Sequence, residues 1–120
     1  MLASAGKLKE TIDHLSEAVR IRPDSVDAQY NLGLGLARQG RFEEAMGHFS
    51  KTLELKPDHA EAHVNLGAVL ASEGRLEEAI DHFSEALRIK PNFVEAKQYL
   101  EQALEDLRRR KAVADPTSGS

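Results

Sequence analysis

No cysteine occurs among the 120 residues, which excludes a disulfide framework and any thiolate metal site. That absence leaves the compartment open. Tryptophan is missing too, and two Tyr and four Phe bring the aromatic share to only 5%, so a core has to be built from Leu, Ala, Ile and Val. No apolar run approaches the roughly 18 residues of a membrane span, and no membrane partner is expected. The opening Met1-Leu2-Ala3-Ser4-Ala5-Gly6-Lys7 has neither a basic start nor a long apolar stretch, so no secretory signal is expected there and the cytoplasm is the favoured compartment. An excess of positive charge is also lacking. The net charge of −4 argues against nucleic acid, because phosphate binding needs a basic surface.

What the chain has is an internal repeat. Residues 26–59 align with residues 60–93 without a gap, and 17 of 34 positions are identical, which chance in one register does not produce. The shared frame is Ala28/Ala62, Asn31-Leu32-Gly33/Asn65-Leu66-Gly67, Leu36-Ala37/Leu70-Ala71, Gly40-Arg41/Gly74-Arg75, Glu43-Glu44-Ala45/Glu77-Glu78-Ala79, His48-Phe49-Ser50/His82-Phe83-Ser84 and Lys56-Pro57/Lys90-Pro91. Shifted back by one period, the frame meets Pro23, His14 and Leu2-Ala3…Gly6. Residues 1–25 therefore read as the tail of a truncated first repeat. Shifted forward, Phe93-Val94-Glu95-Ala96 opens a further unit, but Glu101 stands where Gly67 would be.

Periodicity and punctuation place the helices. Ala28, Leu32 and Leu36 recur at helical spacing, as do Phe42, Ala45, Met46, Phe49 and Leu53. Gly40 breaks the first run because glycine adopts a left-handed turn at little cost. Pro57 ends the second because the residue before proline avoids helical geometry. Asp24-x-x-Asp27, Asp58-x-x-Glu61 and Asn92-x-x-Glu95 resemble capping boxes. Helices are predicted near 6–21, 25–38, 41–54, 59–72, 75–88 and 93–110. A helix of about 14 residues is marginal alone in water, so stability has to come from stacking on neighbours.

Leu32-Gly33-x2-Leu36, Ala45-x3-Phe49 and Pro57, repeated as Leu66-Gly67-x2-Leu70, Ala79-x3-Phe83 and Pro91, resemble the tetratricopeptide repeat pattern. Gln29 and His63 replace its Trp, and Leu36 and Leu70 replace its Tyr. The resemblance implies an all-α fold, a right-handed α-solenoid of antiparallel helix pairs with about six helices. The expected organisation is a tetratricopeptide-like domain over 1–111, with a truncated repeat at 1–25, repeats at 26–59 and 60–93, a capping helix at 94–111 and a disordered tail at 112–120. Gly33 and Gly67 are expected to let paired helices approach, and Phe49 and Phe83 to fill the gap to the next unit.

In that family the first helix of each pair lines an inner, concave face. Carried onto this sequence, the peptide-binding residues are Asp27, Tyr30, Asn31, Leu34 and Arg38, then Glu61, Val64, Asn65 and Ala68, then Tyr99. Amides at Asn31 and Asn65 offer donors and an acceptor to the backbone of an extended peptide. They look like the asparagine ladder in the repeats of O-linked N-acetylglucosamine transferases, with Tyr99 ending it after two rungs. The family's carboxylate clamp lacks its basic members here, and Asp27, Glu61 and Glu95 make the groove edge acidic. A basic or mixed peptide with apolar anchors against Tyr30, Leu34 and Val64 is the expected ligand.

Other candidate chemistry is weak. His14, His48 and His82 recur one repeat apart, too far to share an ion, and read as half-exposed packing positions. His59 and His63 have the spacing of a helical zinc pair, but the run lacks the metalloprotease glutamate and a third ligand. No metal, cofactor or catalytic residue is expected, and the chain reads as a non-enzyme. Arg108-Arg109-Arg110-Lys111 reads as favourable charge at a helix end. Leu8, Ile12, Leu15 and Val19 form an apolar stripe that a missing helix would leave open. Each such side chain left in water forgoes about 1.5–3 kcal/mol, so a homodimer through the N-terminal helix, or cover by upstream sequence, is expected. The leading functional expectation is a scaffold binding a peptide or protein in a concave groove. A self-assembling structural module and a regulatory fragment of a larger glycosyltransferase-like enzyme are the alternatives.

Overall fold

A computed structural model describes residues 2–114 as six α-helices, with no strand among the described residues. They are α1 (Leu2–Ile21), α2 (Val26–Arg38), α3 (Phe42–Leu55), α4 (Ala60–Ser72), α5 (Leu76–Ile89) and α6 (Val94–Ala114). The chain divides into two compact units, Met1–Ala62 and His63–Ser120, and the division falls in the first turn of α4.

Two kinds of turn alternate between helices. After α2 the Gly40 N–H donates to Ala37 O at 3.0 Å, and the Arg41 N–H donates to Leu36 O at 2.9 Å. This pair of bonds closes a Schellman motif and requires the positive φ of 78° that Gly40 adopts. Gly74, with φ 80°, repeats the arrangement after α4. The other turn holds proline at its second position. Ser25 N donates to Arg22 O, His59 N to Lys56 O and Phe93 N to Lys90 O, at 3.0–3.1 Å. Pro23, Pro57 and Pro91 pre-set the backbone angle that such turns need there.

That turn moves the helix caps by one residue from the expected Asp24 and Asp58. Ser25 Oγ accepts from the Ala28 N–H at 3.2 Å, and His59 Nδ1 accepts from the Ala62 N–H at 3.1 Å. Asp24, Asp58 and Asn92 instead occupy the third turn position.

Within the first unit α2 and α3 meet through the smallest and one of the largest side chains. A β-carbon on Gly33 would lie 2.7 Å from Cε1 and 2.8 Å from Cδ1 of Phe49, and Phe49 is fully buried. The phenyl ring, expected to bridge to the next repeat, is therefore first a filler inside its own pair. Ala45 is also fully buried, and Thr52 hides its hydroxyl by donating to His48 O at 2.8 Å. Ile12 of α1 packs onto Gly35, where a β-carbon would come within 2.9 Å of Cγ1. Ile12 is only 4% exposed, so the stripe on α1 is split: Ile12 is covered by α2, while Leu8, Leu15 and Val19 are half-buried.

The second unit repeats the device. A β-carbon on Gly67 would lie 2.7 Å from Phe83 Cε1, and Ala79, Phe83 and Ala86 are fully buried. Here the ring does also reach the following helix, stacking on Tyr99 of α6 with centroids 5.4 Å apart and planes 9° apart. The guanidinium of Arg110, late in α6, reaches the Gly74 turn.

Two boundaries differ from expectation. α1 begins at Leu2 and runs through Gly6 without a turn, whereas the sequence placed its start near residue 6. α6 continues to Ala114, so residues 112–114, expected in the tail, are helical. Residues 115–120 lie outside the described residues.

Glycine packing gives a test with an internal control. Gly33→Ala and Gly67→Ala should each destabilise by about 1–2 kcal/mol, since overpacking outweighs alanine's helix preference. Gly47 has nothing within 4 Å of a β-carbon, so Gly47→Ala should stabilise by up to about 1 kcal/mol. Urea denaturation followed by circular dichroism reads all three.

Candidate interaction surface

The expected residues of α2 fall on one face, since 27, 31, 34 and 38 follow helical spacing. Asn31, Leu34 and Arg38 line a cleft of about 310 Å³ together with Gly35 and, from α1, Leu8, Thr11 and Leu15. Leucines supply an apolar floor. Thr11 and Asn31 add hydrogen-bonding groups, and Arg38 adds a cation. Arg41, Arg75, Arg88 and Arg108 each pair with a glutamate three residues away, whereas Arg38 has no ion-pair partner among the described residues. Its own neighbours at that spacing are Gly35 and Arg41, neither of which carries an acid.

Asp27, Tyr30 and Glu61 do not line that cleft. Tyr30 is half-buried, its ring 5.9 Å from Phe49 and 4.6 Å from His59. The Glu61 carboxylate lies 3.7 Å from His59 Nδ1. Burial pushes protonation of His59 down, an effect that Glu61 and, more weakly, Asp27 oppose. The first unit thus sorts the expected residues into an apolar cleft carrying a cation and a separate acidic edge around His59.

In the second unit one expected anchor is withdrawn. Val64 is 1% exposed and belongs to the core, since its short branched side chain does not reach past its neighbours as Tyr30 does at the equivalent position. Asn65 and Ala68 are half-buried on α4. Tyr99, at the position of Asn31 and Asn65, is 40% exposed with one face against Phe83. Of the cleft residues outside the family's expected peptide face, Leu8 and Leu15 belong to the α1 stripe expected to lie open and Thr11 is an addition; the three stand one 34-residue period before Phe42, Ala45 and Phe49. That register was the available signal.

Of the three histidines at repeat spacing His14 is exposed, while His48 and His82 are more than packing positions. His48 Nδ1 donates to Gln29 Oε1 at 2.8 Å, and Gln29 Nε2 donates to Pro23 O at 2.9 Å. In the second unit His63 and His82 face each other through their Nδ1 atoms at 3.0 Å. Glutamine and histidine at the tetratricopeptide Trp position are thus held by a polar partner 19 residues on. In the His63–His82 pair one Nδ1 must donate and the other accept. Protons on both facing nitrogens would abolish the bond. His59, whose spacing from His63 is that of a helical zinc pair, caps α4 through its Nδ1, and no group of three His, Cys, Asp or Glu suited to a metal occurs among the described residues.

Comparisons with known proteins agree with this geometry. A family model described as tetratricopeptide repeat matches residues 30–92, and one described as TPR repeat matches residues 1–40. No curated protein matches the chain. Among solved structures, the P58(IPK) TPR domain is similar at TM-score 0.86 and 30% identity, over 98% of this chain and 34% of its own. MamA is similar at TM-score 0.82 and 27% identity, over 93% of this chain and 62% of its own. YrrB, described as a TPR protein with an unusual peptide-binding site, is similar at TM-score 0.73 and 28% identity, over 81% of this chain and 50% of its own. The chain therefore spans less than two thirds of each. The all-α class of antiparallel helix pairs expected from the sequence is the class these structures share. No helix among the described residues is long and apolar enough to cross a membrane.

The histidine pair generates a pH dependence. Burial first, and His63 second, push His82 below the ordinary histidine range, against the opposing charges of Asp81, Glu78 and Glu85. Below about pH 6.5 the unfolded chain then binds more protons than the folded one, so stability is full above that value and falls as pH drops through it. Urea midpoints should decline between about pH 7.5 and about pH 5. His63→Gln, which recreates the Gln29–His48 arrangement, should shrink the decline, and an unchanged decline would place its origin elsewhere.

Proposed function

The chain belongs to the tetratricopeptide repeat family, and from that premise we propose that it is a non-enzymatic interaction module holding a peptide or protein segment against the first helices of its repeats. One observation carries the reading. Asn31, Leu34 and Arg38, expected from the sequence to touch ligand, line a single cleft whose cation has no acid to pair with among the described residues. A built cleft that combines an apolar floor with a few polar groups is the usual form of a recognition site. The likeness to YrrB, described as having a peptide-binding site, supports the same class of function.

The ligand is of mixed charge. An apolar side chain fits the floor formed by Leu8, Leu15 and Leu34, and an adjacent acidic group neutralises Arg38. Basic residues suit the acidic edge of Asp27 and Glu61. Asn31 and Asn65 hold the peptide backbone, each in its own unit, and Ala68 and Tyr99 extend the contact face of the second unit. Val64 takes no part, being buried.

Arrayed peptides that pair an apolar anchor with one acidic and one basic residue provide the probe. The wild-type chain should select a subset. Asn31→Ala combined with Asn65→Ala should weaken that binding about tenfold or more, as loss of two hydrogen bonds implies. Arg38→Ala should remove the preference for the acidic residue. Selection unchanged in all these variants would overturn the proposed site.

A further inference from the structure

The repeat register says what shape the first-unit cleft has. Leu8, Thr11 and Leu15 stand one period before Phe42, Ala45 and Phe49, which places α1 among the second helices of the repeats. In the complete pair α2–α3, Ala45 and Phe49 are fully buried, with Gly33 of the first helix laid on Phe49. The matching residues of α1 line an open cleft instead. That cleft is the seat of a first-type helix, and α2 and α4 are examples of what fits such a seat.

α6 is a first-type helix by the same register, since Ala96, Leu100 and Leu104 follow Ala62, Leu66 and Leu70 by one period. Leu36 and Leu70 are 2% and 3% exposed, whereas Leu104 is 49% exposed. Val94 on the same helix is 66% exposed. Ala96 is buried like its counterparts and Leu100 is half-buried, so the part of this face that α6 leaves open is its end at Leu104.

We infer that α6 of a second copy occupies the α1–α2 cleft, so that the chain associates head to tail. The inference uses the same cleft as the peptide reading and names a different occupant for it. Both surfaces depart from the repeat pattern together, in compensating ways. Where Gly33 and Gly67 stand in α2 and α4, α6 has Glu101. Where Phe49 and Phe83 stand in α3 and α5, α1 has Leu15. A leucine lacks the ring atoms Cε1 and Cζ that would meet a β-carbon on Gly33 at 2.7 and 3.2 Å, leaving room for a larger residue opposite. Charge matches as well. Glu101 and Arg38 are each without an ion-pair partner among the described residues, one on each of the two surfaces. The two surfaces differ, so the contact is heterologous and does not stop at a dimer unless the rotation closes a ring.

Light scattering of the full chain at rising concentration tests this. Mass should climb beyond that of a dimer. Leu104→Asp should abolish the climb by spoiling α6, and Thr11→Glu, at an exposed position that leaves folding intact, should abolish it by spoiling the cleft; circular dichroism checks both folds. Each variant keeps one sound surface, so an equal mixture should form dimers and nothing larger. A mass that stays monomeric at every concentration overturns the inference, as does a Leu104→Asp chain that still associates, the behaviour of a symmetric α1–α1 dimer. A monomeric chain that still selects arrayed peptides would sink the head-to-tail contact alone. An associating chain that selects none would sink the peptide reading alone.

Discussion

The approach of Phe49 to Gly33, and of Phe83 to Gly67, is the contact on which the remaining geometry depends. A helix of 13 or 14 residues is marginal alone, so each must gain its stability from a neighbour. Glycine lets the two backbones of a pair come close enough for one phenyl ring to fill the whole space between them, and complete burial of that ring is the return. The Schellman turns at Gly40 and Gly74 follow from the same need, because they reverse the chain within a few residues and return the second helix to the face of the first. With the pair held so tightly, the outward stripe of α2 is carried on a rigid support.

Polar residues have taken over a place that the family pattern gives to tryptophan, and the units solve the problem differently. Gln29 satisfies both ends of its amide, one on Pro23 and one on His48. His63 finds His82 across the pair. An amide oxygen accepts from histidine in either protonation state, while two imidazoles share a single hydrogen between facing nitrogens. The repeats are alike in backbone and in their Gly–Phe contact, yet at the position of the family's tryptophan only the second holds a bond that acid can break. Stability and pH response are thus set by separate layers of the same helix pair.

Recognition chemistry is concentrated where the repeat pattern is incomplete. Complete pairs spend their apolar faces on each other, leaving a mostly charged exterior in which arginines are matched by glutamates one helical turn away. Leu8, Thr11 and Leu15 have no such cover, and Arg38 has no such match. Uncovered apolar surface beside an unneutralised charge is a combination that gains free energy on binding, through burial of the one and pairing of the other.

The 34-residue period and its punctuation determined the helices and their order, because those features depend on local geometry repeated along the chain; that the phenyl ring lies on the glycine of its own pair was decided by the tertiary structure. Proline and glycine positions alone located the turns to within a residue or two. The tertiary structure decided which residue caps each helix, since a proline turn whose bond closes on Ser25 or His59 carries Asp24 and Asp58 past the cap. It also decided which stripe residues reach a partner: Val64 is sealed in the core and Ile12 is covered by Gly35, while Leu8, Thr11 and Leu15 stay open. Helical spacing says which residues share a face. What lies opposite that face depends on contacts between segments distant in sequence, and no period within one segment encodes them.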